Sequence, residues 1–320
     1  MNIAFFGTGE FSKNILKDLL KYSQINIKLV VSQLDKPVGR KQILQPTPVK
    51  QFALDNNIEV LQVEKLKDNQ EFISKLKSLD LDFIIVVAYG KIIPTSILEI
   101  PKYYPINIHG SILPFYRGAS PIQESIKNGD RQTGISIMEM SAGMDEGGVF
   151  ITHKVDIDIL DKTPDIFKKF EEKGAEVLFE VLNNIINNNL KPIPQEDFKA
   201  TYCSKISKED GKIDFENETG FKIYNKFRSY SPWPGIYTYY NGKKLELTDI
   251  LFEENNLIFD QDFKLGDIVE FEDHGKVNIS ILTKGGLLIL NKVKLEGKKE
   301  IDIKSFLNGN KDFLDYNFIN

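Results

Sequence analysis

Three side chains carry the most chemical promise in this sequence: Asn107, His109 and Asp145. Asn107 and His109 flank Ile108 at i and i+2 within Ile106-Asn107-Ile108-His109. On a strand, that spacing puts both polar groups on one face and turns Ile108 to the other. The stretch Gly110-Ser111-Ile112-Leu113-Pro114 follows, with no helical period and with backbone donors expected to be free. Farther on, Gly143-Met144-Asp145-Glu146-Gly147-Gly148 sets a carboxylate among glycines that permit a close, irregular turn. From there Asp145 could reach back and orient His109.

An amide, an imidazole and a carboxylate suit acyl transfer to an amine. Attack of the amine on a carbonyl makes a tetrahedral oxyanion, which an Asn amide and a protonated imidazole can hold by hydrogen bonds. The amine must lose a proton and the leaving nitrogen must gain one. An imidazole–carboxylate pair carries that traffic near neutral pH. No Ser or Cys nucleophile is required, because the amine attacks directly. The bland alternative stays open from spacing alone: an Asn-x-His on a strand is more often structural than catalytic.

Other constellations say less. Gly7-Thr8-Gly9 closes a strand and opens a helix, as in a dinucleotide site, but the third glycine position is Ser12. Ser32-Gln33, with no acid, end the second strand, so NAD is rejected. His109, His153 and His274 are scattered and Cys203 is the lone cysteine, so neither a metal site nor an internal disulfide is expected. His153 and His274 read as ordinary surface or core residues.

The elements that must position the trio alternate between strand and helix periods. Ile3–Phe6, Ile25–Val31, Phe83–Val87, Ile106–Ile108 and Ile135–Met138 read as strands, with Phe83–Val87 apolar at every position, as in a parallel strand covered on both faces. Phe11, Ile15, Leu16, Leu19 and Leu20 recur at helical spacing. A long helix opens at Thr163-Pro164, with Thr163 as its cap, and carries Val177, Leu178, Val181, Leu182, Ile185 and Ile186 on one stripe. It dissolves into Asn187-Asn188-Asn189, Pro192 and Pro194. The fold class is therefore α/β, a Rossmann-like open parallel sheet over residues 1–190, then a linker over 191–205. Beyond residue 206 the pattern becomes hairpins, Ile236–Tyr240 with Leu245–Ile250 and Val277–Leu282 with Leu287–Leu290, plus one helix through Phe221, Tyr224 and Phe227. A small β-barrel of the oligonucleotide-binding type is expected over 206–320.

Composition excludes several classes. The 320 residues are 41% hydrophobic and 27% charged, an ordinary folded chain with room for about two domains. No apolar run approaches the ~20 residues that span a bilayer, and Met1-Asn2-Ile3 does not begin a charged-then-apolar leader, so a cytoplasmic protein is expected. The net charge of −5 does not advertise nucleic acid, and any such partner needs a local basic patch.

Asn107-Ile108-His109-Gly110-Ser111-Ile112-Leu113-Pro114 resembles the Asn-x-His-x-Ser-Leu-Leu-Pro core of the 10-formyltetrahydrofolate-dependent transferases. The match continues through Arg117–Gln123, Thr133-Gly134 and Met140–Asp145. That stretch alone fits the wider superfamily, sugar N-formyltransferases and formylfolate hydrolases included. Three more stretches are similar to the methionyl-tRNA formyltransferases in particular: Asp35–Arg40 with Pro46–Lys50; Ala200–Glu209 with Pro232-Trp233-Pro234; and Leu295–Lys299 with Phe306–Gly309.

The resemblance implies a formyl group moved from 10-formyltetrahydrofolate to the α-amine of methionyl initiator tRNA, by a cytoplasmic monomer. The alternative acceptor is a nucleotide-linked amino sugar. By the same resemblance Asn107 and His109 hold the formyl oxygen, and Asp145 polarises His109 and helps deprotonate the amine. Ser111, Ile112, Leu113 and Pro114 line the formylfolate site, with Ala88, Tyr89 and Gly90 beside it. Phe11 touches the methionyl side chain, and Arg40 contacts the acceptor end of the tRNA. The sequence departs from the family pattern at Gln42-Ile43, where basic residues are frequent, at Phe115, where Arg or Lys is common, and at Gly9, where Pro is common. Residues 284–311 offset this with seven lysines against three acids, a patch suited to an RNA backbone.

Overall fold

The computed structural model describes residues 1–38, 43–254, 263–273 and 275–319. Arg40 and His274 lie outside the described residues. The chain forms two compact units, one of residues 1–121, 132–156 and 166–204, the other of residues 122–131, 157–165 and 205–320.

The first unit is built on a seven-stranded sheet. Its strands in chain order are β1 (Asn2–Gly7), β2 (Asn26–Ser32), β3 (Val60–Gln62), β4 (Phe83–Val87), β5 (Tyr104–His109), β6 (Gln132–Glu139) and β7 (Val149–Asp156). They lie in the order β7-β6-β5-β4-β1-β2-β3. β1 to β5 pair in parallel, as the continuous apolar runs predict, and all five positions of β4 are buried. The sheet is mixed, however, because β6 runs antiparallel to both β5 and β7. β6 and β7 are joined by a short turn, which allows only an antiparallel pair. That turn contains Asp145.

Parallel strands bring their carboxyl ends to one edge. There β1 ends at Gly7, β4 at Val87 and β5 at His109. β5 pairs through Asn107 with Val86 on one side and Met138 on the other, while His109 lies opposite Ser136. The long helix Thr163–Asn188 forms as read, but Thr163 does not cap it. The Thr163 hydroxyl donates to the Ser229 carbonyl at 2.6 Å, and Asp165 accepts the Lys162 N–H at 2.9 Å instead.

The second unit holds a six-stranded antiparallel sheet. The path runs Ile236–Tyr240, Lys243–Glu254, Gly286–Leu295, Lys276–Thr283, Ile268–Asp273, and Ile301–Asp302 pairs with Gly286–Leu295. Helix Gly220–Ser229 contributes Ile223, Tyr224 and Phe227 to the core that this sheet covers. Tyr240, Phe306, Phe313 and Tyr316 meet edge-on there, with ring centroids 5.1 to 5.9 Å apart. Buried Arg228 donates to the Asp158 and Asp161 carbonyls at 3.0 Å and so fastens 157–165 into this unit. Among the described residues no helix is long and apolar enough to cross a membrane.

Candidate active site

His109 stands at the last position of β5, buried, with both ring nitrogens facing protein acceptors. Nε2 lies 3.0 Å from the Tyr116 carbonyl oxygen, which can only accept, so Nε2 carries a proton. Nδ1 faces Asp145 Oδ2 at 3.6 Å, an ion-pair distance longer than a good hydrogen bond. With Nε2 engaged by Tyr116, Nδ1 is the ring nitrogen turned toward the Asp145 carboxylate. Asn107 lies on the same face of β5. Its amide is half-buried and makes no hydrogen bond among the described residues. A half-buried amide without a protein partner, on the strand that ends at the imidazole, is the donor that an oxyanion needs.

The loop after β5 is tied down more firmly than its composition predicts. Ser136 Oγ, on β6, donates to the Ser111 carbonyl at 2.7 Å and accepts the Leu113 N–H at 3.2 Å. Ser111 Oγ donates to the Phe115 carbonyl at 2.6 Å. The Leu113 donor expected to be free is therefore engaged, and the Pro114 carbonyl accepts the Thr201 N–H. Ile112 and Pro114 stay half-buried while Ser111 and Leu113 are buried.

Asp145 is oriented by the backbone of the next segment. Its Oδ2 accepts the Gly118 N–H at 2.8 Å. Gly118 has φ +126°, and a side chain there would meet the Cys203 carbonyl at 2.1 Å, because Arg117-Gly118 pairs in parallel with Tyr202-Cys203. Asp145 itself has φ +54°. Among the described residues with positive φ that are not glycine, only Ala88 (+43°) and Tyr116 (+58°) are neither Asn nor Asp. Left-handed backbone costs a residue with Cβ about 1–3 kcal/mol and collects at functional sites. Both of these residues border the expected one, Ala88 after β4 and Tyr116 on the imidazole.

The remaining expected residues are placed as follows. Ala88 and Gly90 are exposed, but the Tyr89 ring is buried against Phe6, and burial pushes its hydroxyl up to about 12. Tyr89 presents its carbonyl, which accepts from Thr8 Oγ1 and Gln33 Nε2. Phe11, in the first turn of the helix after β1, is half-buried with its ring 5.5 Å from Phe167. The structure thus brings together His109, Asp145 and the Ser111–Pro114 loop, with Asn107 on the same strand. It adds residues that motif reading did not single out: Ser136, Thr201, the Arg117 side chain and Gln195. Of these, Ser136 was legible only as a polar position in a strand; its place opposite His109 comes from the pairing of β6 with β5.

Comparison with known proteins shows the family. Residues 1–182 match the Formyl transferase family profile and residues 205–311 match Formyl transferase, C-terminal domain. Methionyl-tRNA formyltransferase of Caldicellulosiruptor saccharolyticus is 44% identical over 312 residues, covering 97% of each chain. The chain belongs to the methionyl-tRNA formyltransferase family. The formyltransferase of the same name from Dictyoglomus turgidum is 43% identical over 309 residues, 97% of this chain and 96% of that one. Among solved structures, a sugar 3N-formyl transferase in the presence of dTDP and 5-N-formyl-THF has a TM-score of 0.64 at 22% identity, covering 93% of this chain and 99% of its own. That likeness shows a shared formyltransferase fold.

Proposed function

We propose that this chain transfers the formyl group of 10-formyltetrahydrofolate to the α-amino group of methionine esterified to initiator tRNA, acting as a cytoplasmic monomer. The observation that carries the reading is the His109–Asp145 pair at the end of β5, two residues beyond the unpartnered amide of Asn107. Near-full-length likeness to methionyl-tRNA formyltransferases supports the acceptor, and the folate named with the sugar enzyme supports the donor.

The chemistry needs no cofactor beyond the donor. The amine nitrogen attacks the formyl carbon, the carbonyl electrons move onto oxygen, and Asn107 and His109 hold the oxyanion. Collapse re-forms the carbonyl and breaks the bond from the formyl carbon to N10, which takes a proton and leaves as tetrahydrofolate. A free α-amino group titrates near ~7.7, so an appreciable neutral fraction is available near pH 7 and positioning supplies most of the catalysis. His109 supplies a ring N–H to the oxyanion as charge develops on the formyl oxygen. Asp145 stays beside it to stabilise the imidazolium and accept the amine proton.

Ser111, Ile112, Leu113 and Pro114 line the pteridine site, rimmed by Ala88, Gly90 and the Tyr89 backbone. Phe11 receives the methionyl side chain, and Arg40 meets the acceptor stem. Residues 1–190 act as the formyltransferase domain, 191–205 as the connection and 206–320 as the tRNA-binding domain, its antiparallel sheet curling into an OB-like barrel.

A formylation assay with initiator and elongator methionyl-tRNA, with and without 10-formyltetrahydrofolate, tests the reading. Donor-dependent formylation of the initiator is expected. Formylation of a nucleotide-linked amino sugar in its place, or formate release without an acceptor, would overturn it.

A further inference from the structure

The stretch that composition reads as a linker reaches back into the site through one side chain. Gln195 uses both ends of its amide. Nε2 donates to the backbone carbonyls of Asp145 at 2.8 Å and Gly147 at 2.7 Å. Oε1 accepts from Arg117 Nε at 3.1 Å and Nη2 at 2.9 Å. Arg117 is 1% exposed and also bonds Asp197, at 2.6 Å, and the Tyr202 side chain. The next residue along, Gly118, donates to the Asp145 carboxylate. A closed bracket results: Arg117 holds Gln195, Gln195 holds the Asp145 backbone, and Gly118 holds the Asp145 side chain.

A turn with Asp145 at positive φ needs such a hold. Its carbonyl and that of Gly147 point at one spot, and a primary amide is the neutral group that gives two N–H donors there while offering two lone pairs behind. Gly147 has no room to adjust, since a side chain on it would lie 1.9 Å from the Glu139 carbonyl oxygen. The backbone on the far side is clipped too, because Ile193 and Val149 exchange two hydrogen bonds, of 2.8 and 2.9 Å. The Gln195 segment therefore has a fixed registry against the turn.

We propose that Gln195 is a positioning residue, fixing the left-handed turn that aims the Asp145 carboxylate at His109. The proposal rests on the formyltransfer reading above. It makes Gln195→Glu the diagnostic variant. The shape is kept, and so is the acceptor for Arg117, but the nitrogen carrying both donors is replaced by one carboxylate oxygen facing two carbonyls. Misplacing a catalytic group by about 1 Å costs on the order of 100-fold in rate. Gln195→Glu is expected to lower kcat by roughly that factor, with KM for methionyl-tRNA and for 10-formyltetrahydrofolate within about twofold of wild type.

Two further measurements separate positioning from simple destabilisation. In an Asp145→Ala background Gln195→Glu is expected to have no additional effect on kcat, because a group acting through Asp145 has nothing left to position. Amide exchange at Gly118, read by NMR without any substrate, is expected to accelerate in Gln195→Glu while exchange across β4 stays unchanged. Wild-type kcat in Gln195→Glu, or multiplicative effects in the double variant, would overturn the positioning role and leave the formyltransfer reading standing. Wild-type protein that formylates nothing would overturn the formyltransfer reading alone, and the Gly118 exchange result would still decide whether Gln195 holds the turn.

Discussion

The two units keep their polar groups in opposite ways. In the first, His109, Ser111, Arg117 and Ser136 are all buried, and each is bonded to a named backbone or side-chain partner near the Asp145 turn. In the second, the core is a hub of aromatic rings and aliphatic strands with buried Arg228 at its margin, and the surface carries exposed ion pairs such as Lys294–Glu246 and Lys292–Glu300. A buried polar group without its partner costs about 1–3 kcal/mol, whereas an exposed ion pair contributes about 0–1 kcal/mol. The first arrangement suits chemistry, which fails when one atom moves. The second suits attraction to a charged surface, which weakens a little with each charge removed. Substitutions in the first unit should therefore be all-or-none in activity, and those on the surface of the second graded.

The largest effect tests the first half of that contrast. Asn107→Ala, His109→Ala and Asp145→Ala are each expected to cut kcat for formylation by about 10²–10⁴-fold, the range for losing an oxyanion donor or a general base. Circular dichroism should be unchanged, since the strand ladders of β4, β5 and β6 are made by backbone groups and not by these side chains. Near-normal turnover in His109→Ala would remove the imidazole from the mechanism. The counterpart in the second unit is Phe313→Ala, which empties the centre of the ring cluster formed with Tyr240, Phe306 and Phe318. A loss of about 3–5 kcal/mol is expected for a buried aromatic, read by calorimetry as a lowered transition. A change below ~1 kcal/mol would show that the cluster is not the unit's core.

Graded behaviour is the expectation for the lysine-rich stretch 284–311. The structure discounts three of its seven lysines as free charges: Lys292 and Lys294 are ion-paired and Lys284 donates to the Glu216 carbonyl. Lys298, Lys299, Lys304 and Lys311 have no ion pair among the described residues. Affinity for tRNA should fall linearly with log salt, and neutralising Lys298 and Lys299 together should reduce the slope by about 2 while leaving kcat at saturation unchanged. Neutralising paired Lys292 should alter the slope less. An unchanged slope in the double variant would take this edge of the sheet out of tRNA binding.

The sequence disclosed local features and hid distant ones. Period-two alternation put Asn107 and His109 on one face, and the glycines around Asp145 announced an irregular turn, because both depend on residues next to each other in the chain. The parallel core was legible in the unbroken apolar run Phe83–Val87. The antiparallel β6 was not, because its direction is a matter of its pairing with β5, and a short run such as Ile135–Met138 reads the same in either direction. The Arg117–Gln195 pair spans 78 residues and leaves no period to read. The prolines and asparagines that mark a linker around Gln195 describe its backbone and say nothing of where one amide points. Residues 157–165 join the second unit through Arg228 and residues 122–131 through Ser229 Oγ, which donates to the Gln123 carbonyl, long-range anchors that composition does not mark.

The smallest expected effect sharpens the contrast in a third setting, at the root of the long loop after β2. Asp35 accepts from Lys50 Nζ at 2.7 Å and from Gln62 Nε2 at 2.6 Å, and Gln62 also bonds Lys50 and the Gln33 carbonyl. The Lys50 and Gln62 hydrogen bonds hold the Asp35 carboxyl below its ordinary 3.8. A carboxyl with a lowered folded-state value adds stability that is fully present above the unfolded value and is lost as pH falls through the folded one. Asp35→Asn should thus cost no more than about 1 kcal/mol at neutral pH, the scale of a half-exposed pair, and the difference from wild type should close below pH 3.8. Glu300→Gln, which breaks the exposed pair with Lys292, should cost nothing measurable at any pH. Equal costs for the two variants would mean that hydrogen bonding around Asp35 adds nothing beyond simple charge attraction, and the distinction between bonded and solvated polarity would then stop at the active site.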